Sequence, residues 1–200
     1  MEGITRTALA AIGVFTGTNI DDLLVLTVLF LSFHTQGRPR PWQIVAGQYL
    51  GFCALVAVSA LAALGLTIVP DQWVGLLGLL PLALGLRGLW KAWRGNGEDD
   101  GPPVPASGLL SVAGVTIANG ADNVGVYTPL FRTLGTADAV VMVVVFLILV
   151  AVWCAAGRLL GGHKAVIAAL ERIGHLLVPV VFIGIGAWIL IESGVLARLL

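Results

Sequence analysis

Two acidic motifs lie 100 residues apart, each in the middle of an otherwise apolar segment. Each contains the pattern Asn-x-x-Asp, as Asn19–Asp22 and as Asn119–Asp122. Asp21 adds a third carboxylate, and no other Asp, Glu, Lys or Arg stands in 7–37 or 108–131. A charged side chain at the centre of a membrane helix costs on the order of 2.5–3.5 kcal/mol on insertion scales. The three aspartates therefore indicate a function.

The residue types in these motifs suit a cation. On a continuous helix, residues three apart share a face, which predicts two oxygen-rich faces. They consist of Thr16, Asn19 and Asp22 in the first motif and Thr116, Asn119 and Asp122 in the second. Carboxylates, carboxamides and hydroxyls are the ligands of dehydrated metal cations, and two ionised aspartates would favour a divalent one. We expect Asp22, Asp122, Asn19, Asn119 and Asp21 to be ligands. The alternative is that these Asn and Asp side chains only form structural hydrogen bonds between helices.

Further polar residues are candidates for the site or for the pathway leading to it. They are Thr16, Thr18, Thr116, Asn123, Gln48, Cys53, Cys154 and Tyr127. Gln48 follows Gly47 in a Gly-x3-Gly spacing that favours close helix packing. The two cysteines lie within apolar segments, where their thiols would suit a soft metal cation, although a cysteine in such a position is more often a small packing residue.

Glycine and proline interrupt the helical pattern near both motifs. Gly17 lies in the first, and Gly120, Gly125 and Pro129 lie in or after the second. Irregular backbone at membrane depth is tolerated only where it is buried in protein or lines a cavity. We expect local unwinding that would add carbonyl ligands.

Composition indicates an integral membrane protein whose partner is the lipid bilayer. Hydrophobic residues make up 58% and charged residues 11% of the chain, against about 25% charged in soluble domains, and the mean hydropathy is +0.99. Apolar runs of roughly 20 residues can cross the bilayer, and six are predicted. They are 8–33, 44–69, 74–90, 108–131, 139–160 and 176–196. The net charge of zero argues against a nucleic-acid partner.

The sequence divides into two related halves. A polar stretch rich in Gly and Pro at 94–107 predicts a cytoplasmic linker between repeats at 1–93 and 108–200. Besides the acidic motifs, the spacing Pro-x6-Gly-x-Trp at 81–90 recurs at 179–188. Three spans in each half force the second half into the membrane from the opposite side. We predict an all-α protein of six transmembrane helices in two inverted three-helix repeats, with both motifs near the bilayer midplane.

Charge placement predicts the orientation. With the N-terminus external, eight of the eleven Lys and Arg residues are cytoplasmic, as the positive-inside rule requires. We therefore expect a multi-pass plasma-membrane protein with both termini external. The sequence leaves open whether it works as a monomer or as a homodimer.

The energy source is predicted by elimination. Moving a divalent cation out against an inside-negative potential costs about 4.6 kcal/mol per 100 mV, and the chain has no phosphate-binding loop for ATP. Burial disfavours a charged carboxylate, so an arriving metal would displace a proton. Proton antiport follows, with the metal as substrate and no resident cofactor. None of the three histidines lies near a motif, which disfavours a hydrolytic metalloenzyme.

At these residues the chain resembles the CadD-type cadmium-resistance transporters of the LysE superfamily. The resemblance rests on T-N-I-D-D-L-L-V at 18–25, G-Q-Y-L-G-F at 47–52 and N-G-A-D-N-V-G-V-Y at 119–127. It implies efflux of cadmium, with zinc as a second substrate, by a small secondary carrier. Manganese or another divalent cation is the alternative substrate, because oxygen ligands suit harder metals. An amino-acid exporter of the same superfamily is a further alternative, but no Lys or Arg is available at the midplane to pair its carboxylate.

Overall fold

The computed structural model consists of helices. It describes residues 2–66, 76, 79–94, 108–120, 123–161, 179–180 and 182–191. Within these residues lie eight helices: α1 Glu2–Thr18, α2 Ile20–Gln36, α3 Pro41–Gly65, α4 Leu79–Arg94, α5 Leu109–Asn119, α6 Asn123–Thr133, α7 Thr136–Leu160 and α8 Phe182–Ile191. The predicted all-α class is confirmed. Most of the predicted linker, 95–107, lies outside the described residues.

Fewer of the described helices are long enough to span a membrane than the sequence predicts. Two of them, α3 and α7, are long and apolar enough to cross a bilayer, and the bent pair α1–α2 would make a third. The helices α4, α5 and α8 are apolar but shorter. The predicted spans at 74–90 and 176–196 both extend beyond the described residues. The six-span count therefore stays a prediction.

The first predicted span is two helices, because the chain bends at Asn19. The axes of α1 and α2 differ by 59°, and Asn19 has φ −119° and ψ 21°. Its side-chain Nδ2 donates to the carbonyl oxygen of Phe15 at 2.9 Å. Asparagine is a poor helix former because its side chain offers such local bonds to the backbone. The break therefore lies within the first acidic motif.

The fourth predicted span is also divided, and at the equivalent place. Helix α5 ends at Asn119, with the amide of Gly120 still bonded to Thr116 O at 2.9 Å, and α6 begins at Asn123. Residues 121 and 122 lie outside the described residues. Both motifs coincide with helix boundaries, but of the residues expected to loosen the backbone only Gly120 stands at one. Gly17 lies inside α1, and Gly125 and Pro129 lie inside α6.

Close packing at two glycines joins α3 to α5. A Cβ on Gly47 would lie 2.6 Å from Val112 Cβ, and one on Gly51 would lie 2.6 Å from Thr116 Cβ. Real Cβ atoms do not approach so closely, so only glycine lets the two backbones come together here. This contact sets the position of Gln48, which lies between the two glycines.

The two halves of the chain interleave and share one core. Helix α3 packs along α5 and α6, and α7 packs along α1 and α2. Four fully buried aromatic rings from four helices meet at the centre, with neighbouring ring centroids 5.1–6.3 Å apart. They are Phe15, Phe52, Tyr127 and Phe146. We call them the aromatic cluster. Because rings from both halves pack together, the core belongs to neither half alone.

Helix directions follow from ordered pairs of contacts. Helices α1 and α7 run parallel, since Thr7 bonds Asp138 and Asn19 bonds Trp153. Helix α3 is parallel to α5, because Gly47 meets Val112 and Leu55 meets Gly120. It is parallel to α6, because Phe52 packs on Tyr127 and Arg132 donates to Leu66 O. It is antiparallel to α7, because Tyr49 bonds Leu147 and Phe52 packs on Phe146. Helices α4 and α8 are antiparallel, because Gly85 meets Ile183 and Gly88 meets the preceding Pro179.

Candidate functional site

Asp22 is buried at the start of α2 and is held by two amides. Its side chain is 1% exposed. Gln48 Nε2 on α3 donates to Asp22 Oδ2 at 2.8 Å, and Asn119 Nδ2 at the end of α5 donates to Oδ1 at 2.7 Å. Thr116 Oγ1 donates in turn to Gln48 Oε1 at 2.7 Å. We call Asp22, Gln48, Thr116 and Asn119 the Asp22 group. It joins the first half of the chain to the second.

A second polar set surrounds the bend at Asn19. Asn19 Nδ2 lies 2.8 Å from Thr18 Oγ1 and 2.7 Å from Tyr127 Oη, and these two hydroxyls are 2.9 Å apart. Asn123 Nδ2 donates to Asn19 Oδ1 at 3.3 Å. We call Thr18, Asn19, Asn123 and Tyr127 the Asn19 group. All four side chains are at most 5% exposed.

One acceptor in the Asn19 group has no hydrogen-bond partner. Asn123 Oδ1 is buried, and no donor from the described residues reaches it. Buried polar atoms are almost always paired, so an orphan acceptor marks a place where a donor or a cation fits. It lies beside the second acidic motif, as a predicted pathway residue should.

Helix ends shape the electrostatics around both groups. Asp22 lies in the first turn of α2, where the amide dipoles favour a negative charge. Thr18 ends α1, whose carbonyl end favours a cation. A broken helix thus stabilises the carboxylate and presents carbonyl oxygens beside it, an arrangement suited to binding a cation.

Most of the predicted site residues are brought together. The two groups contain Asp22, Asn19, Asn119, Gln48, Thr18, Thr116, Asn123 and Tyr127. Asp122 lies outside the described residues. Among the described residues no cluster of three or more His, Cys, Asp or Glu side chains is close enough to hold a metal. The described part of the site therefore contributes one carboxylate together with neutral amides and hydroxyls.

Other predicted residues lie away from the two groups. Asp21 and Cys53 are exposed, and Thr16 is partly exposed. One residue along a helix is a rotation of about 100°, so Asp21 cannot share the direction of Asp22. Thr16 was expected to share one helix face with Asn19 and Asp22, but the bend at Asn19 interrupts that face. Thr18, and not Thr16, contacts the residues of the site.

Cys154 is buried on α7, directly after Trp153, whose indole bonds the backbone of Asn19. Among the described residues no hydrogen bond to its thiol is present, so its role as a ligand stays a prediction.

Trp153 is a contact that the sequence did not predict. Its indole Nε1 donates to the backbone oxygen of Asn19 at 2.7 Å. This bond satisfies a carbonyl at the bend and attaches α7 to it. The sequence signal for this contact was the position of Trp153 in the middle of an apolar segment. Most other tryptophans in this chain lie near predicted span ends.

A cavity lies at one end of α1 and α7. It has a volume of about 290 Å³ and is lined in part by Arg6, Thr7, Asp138 and Met142. Phe146 of the aromatic cluster lies four residues beyond Met142, about 6 Å along the helix, and its ring packs on Tyr127 at 5.1 Å. The cavity therefore lies about one helical turn from the aromatic cluster.

Comparison with known proteins identifies a family. A family model described as cadmium resistance transporter matches residues 15–200. No curated protein and no solved structure matches the chain.

Proposed function

The chain belongs to the cadmium resistance transporter family, and we propose that it exports cadmium, with zinc as a second substrate, in exchange for protons. The family is one of transporters and not of enzymes. Its apolar helices indicate a protein within a membrane. The family implies a metal ion as its substrate.

The observation that carries the proposal is the Asp22 group at a break between helices. Discontinuous helices near the midplane bind substrate and coupling ions in many secondary carriers. Asp22 is only 1% exposed, and burying a carboxylate is a costly way to form a hydrogen bond that is only structural. It is bonded to both halves of the chain, so their relative movement would change its surroundings. We propose that Asp22 is the central ligand and that Asn19, Asn119 and Asp122 contribute the remaining oxygens.

A divalent ion needs a second negative charge, and the sequence offers it at Asp122. This residue directly precedes Asn123, whose orphan Oδ1 is a further oxygen. We propose that Asp22 and Asp122 together neutralise the ion and that protons replace it on the return step. Metal and proton then compete for the same oxygens.

Manganese is a second candidate substrate. Both groups present only nitrogen and oxygen atoms, and carboxylate and carbonyl oxygens suit manganese better than cadmium. The thiol of Cys154, buried on α7, would favour a soft metal such as cadmium.

For the architecture we propose six spans in two inverted repeats, 1–93 and 108–200, joined by a cytoplasmic linker at 94–107. The antiparallel directions of α3 and α7, and of α4 and α8, support this arrangement. We further propose a plasma-membrane location with both termini external, on the basis of the charge distribution.

The test is metal flux in proteoliposomes with an imposed pH gradient. The native chain, Asp22→Asn and Asp138→Asn would be compared with cadmium, manganese, zinc and an amino acid. Asp138 is an aspartate bonded to Thr7 and lies outside both polar groups, so it is the matched control. We expect gradient-driven cadmium flux in the native chain and the control, and none with Asp22→Asn.

Each other outcome removes a specific part of the proposal. Flux of manganese alone would replace the substrate, and flux that ignores the pH gradient would exclude proton coupling. Equal cadmium flux through Asp22→Asn and the native chain would refute the site.

A further inference from the structure

Gln48 lies at the centre of the Asp22 group, and its amide contacts both halves of the chain. The side chain is 2% exposed. Its Nε2 faces the carboxylate of Asp22 at 2.8 Å, and its Oε1 accepts the hydroxyl of Thr116 at 2.7 Å. In this arrangement an N–H group occupies the side of Asp22 Oδ2 that faces α3.

Thr116 has two acceptors within reach of its single hydroxyl proton. One is Gln48 Oε1, and the other is the carbonyl oxygen of Val112 at 3.1 Å, one turn back along α5. A hydroxyl carries one donor and two acceptor lone pairs. Thr116 can therefore keep a hydrogen bond as donor, and gain one as acceptor, if the carbonyl of Gln48 turns away.

Half a turn of the Gln48 amide exchanges its two ends. The oxygen and the NH₂ group are nearly equal in size, so the rotation needs little new space even between Gly47 and Gly51. Nε2 would then donate to Thr116 Oγ1, and Thr116 would donate to Val112 O. The one loss is at Asp22, where Oδ2 would face a carbonyl oxygen. Two such oxygens repel each other unless a cation or a proton lies between them.

We propose that Gln48 is a further ion-binding residue whose side-chain amide works as a rotating latch. With Nε2 toward Asp22 the latch covers Oδ2. With Oε1 toward Asp22 the two oxygens form a clamp that a cation, or a proton on Asp22, stabilises. The rotation moves the proton of Thr116 between two acceptors on α3 and α5, so ion binding is transmitted to the second half. This inference rests on the proposed metal site at Asp22 and deepens it.

The first test is binding of cadmium chloride to the purified full-length protein by calorimetry. Gln48→Met keeps the length of the side chain and removes the amide. Thr116→Val removes the acceptor that the rotated Nε2 needs, and Thr116→Ser returns it. Gln48→Met removes an oxygen ligand, and in Thr116→Val the rotated Nε2 is an unpaired buried donor, which is costly. We therefore expect binding to weaken at least about fivefold in both variants. Thr116→Ser should restore it.

The second test observes the amide directly in the native chain. With ¹³C in the glutamine side chains, infrared difference spectra with and without cadmium should show a shifted amide carbonyl band. That band should be absent in Gln48→Met. A Gln48 that is only structural would show no cadmium-dependent shift, and this test remains available if a variant fails to fold.

Asp22→Asn separates the two proposals. If it binds cadmium as the native chain does, the metal site itself is wrong. If it loses binding while Gln48→Met and Thr116→Val bind normally, or if the native carbonyl band does not shift, the site stands and the latch is refuted.

Discussion

At the scale of single residues, two adjacent aspartates have opposite surroundings. Asp22 is 1% exposed and accepts two amide bonds, whereas Asp21 is exposed and no described hydrogen bond reaches its side chain. Their chemistry is identical and their environments differ, which makes them a natural pair for comparison. We expect Asp22→Asn to abolish cadmium flux and Asp21→Asn to reduce it less than about twofold, since the side chain of Asp21 lies outside both polar groups. Equal losses in the two variants would contradict the assignment of Asp22 as the central ligand.

The two tyrosines of the chain give a second matched comparison. Tyr127 Oη bonds Thr18 and Asn19 at the bend, whereas Tyr49 Oη bonds the backbone of Leu147 outside both groups. Each hydroxyl contributes about 0.5–1.5 kcal/mol to stability, so thermal unfolding should shift similarly for Tyr127→Phe and Tyr49→Phe. We expect only Tyr127→Phe to lower metal flux, because it alone frees the bend. Flux that falls equally in both variants would mean that the hydroxyl of Tyr127 is merely structural.

At the scale of elements, the approach of α3 to α5 fixes the distance between Gln48 and Thr116. Gly51 has no room for a Cβ, while Gly114 on α5 has no atom within 4 Å of such a position. Overpacking costs about 1–3 kcal/mol, so Gly51→Ala should destabilise the protein by about that amount and weaken cadmium binding. Gly114→Ala should be neutral or slightly stabilising, because alanine is the better helix former. Denaturation curves and calorimetry on both variants check this, and an unchanged Gly51→Ala protein would exclude the close contact.

At the scale of the whole molecule, the halves depend on each other because each contributes helices to one core. Helix α3 packs on α5 and α6, and the aromatic cluster contains rings from both halves. Residues 1–93 expressed alone should therefore fail to form a stable membrane protein. Co-expression of 1–100 and 101–200 should give a complex that co-purifies and carries cadmium. Independent folding of the 1–93 fragment would contradict the shared core.

The sequence by itself determined the all-helical class, the family and the identity of the polar residues at the helix breaks. Such features follow from composition and local pattern, because a carboxylate in an apolar run is too costly to be incidental. Asn19, Asp22 and Asn119 were found in this way, and so were Gln48 and Tyr127.

Only the tertiary structure decided which of these residues meet. Sequence spacing on a continuous helix grouped Thr16 with Asn19 and Asp22, but the 59° bend at Asn19 replaced Thr16 with Thr18. It also left Asp21 exposed. The bonds of Asp22 to Asn119 and of Trp153 to Asn19 span 97 and 134 residues. No local pattern encodes such pairs, because they depend on how closely α3, α5 and α7 pack.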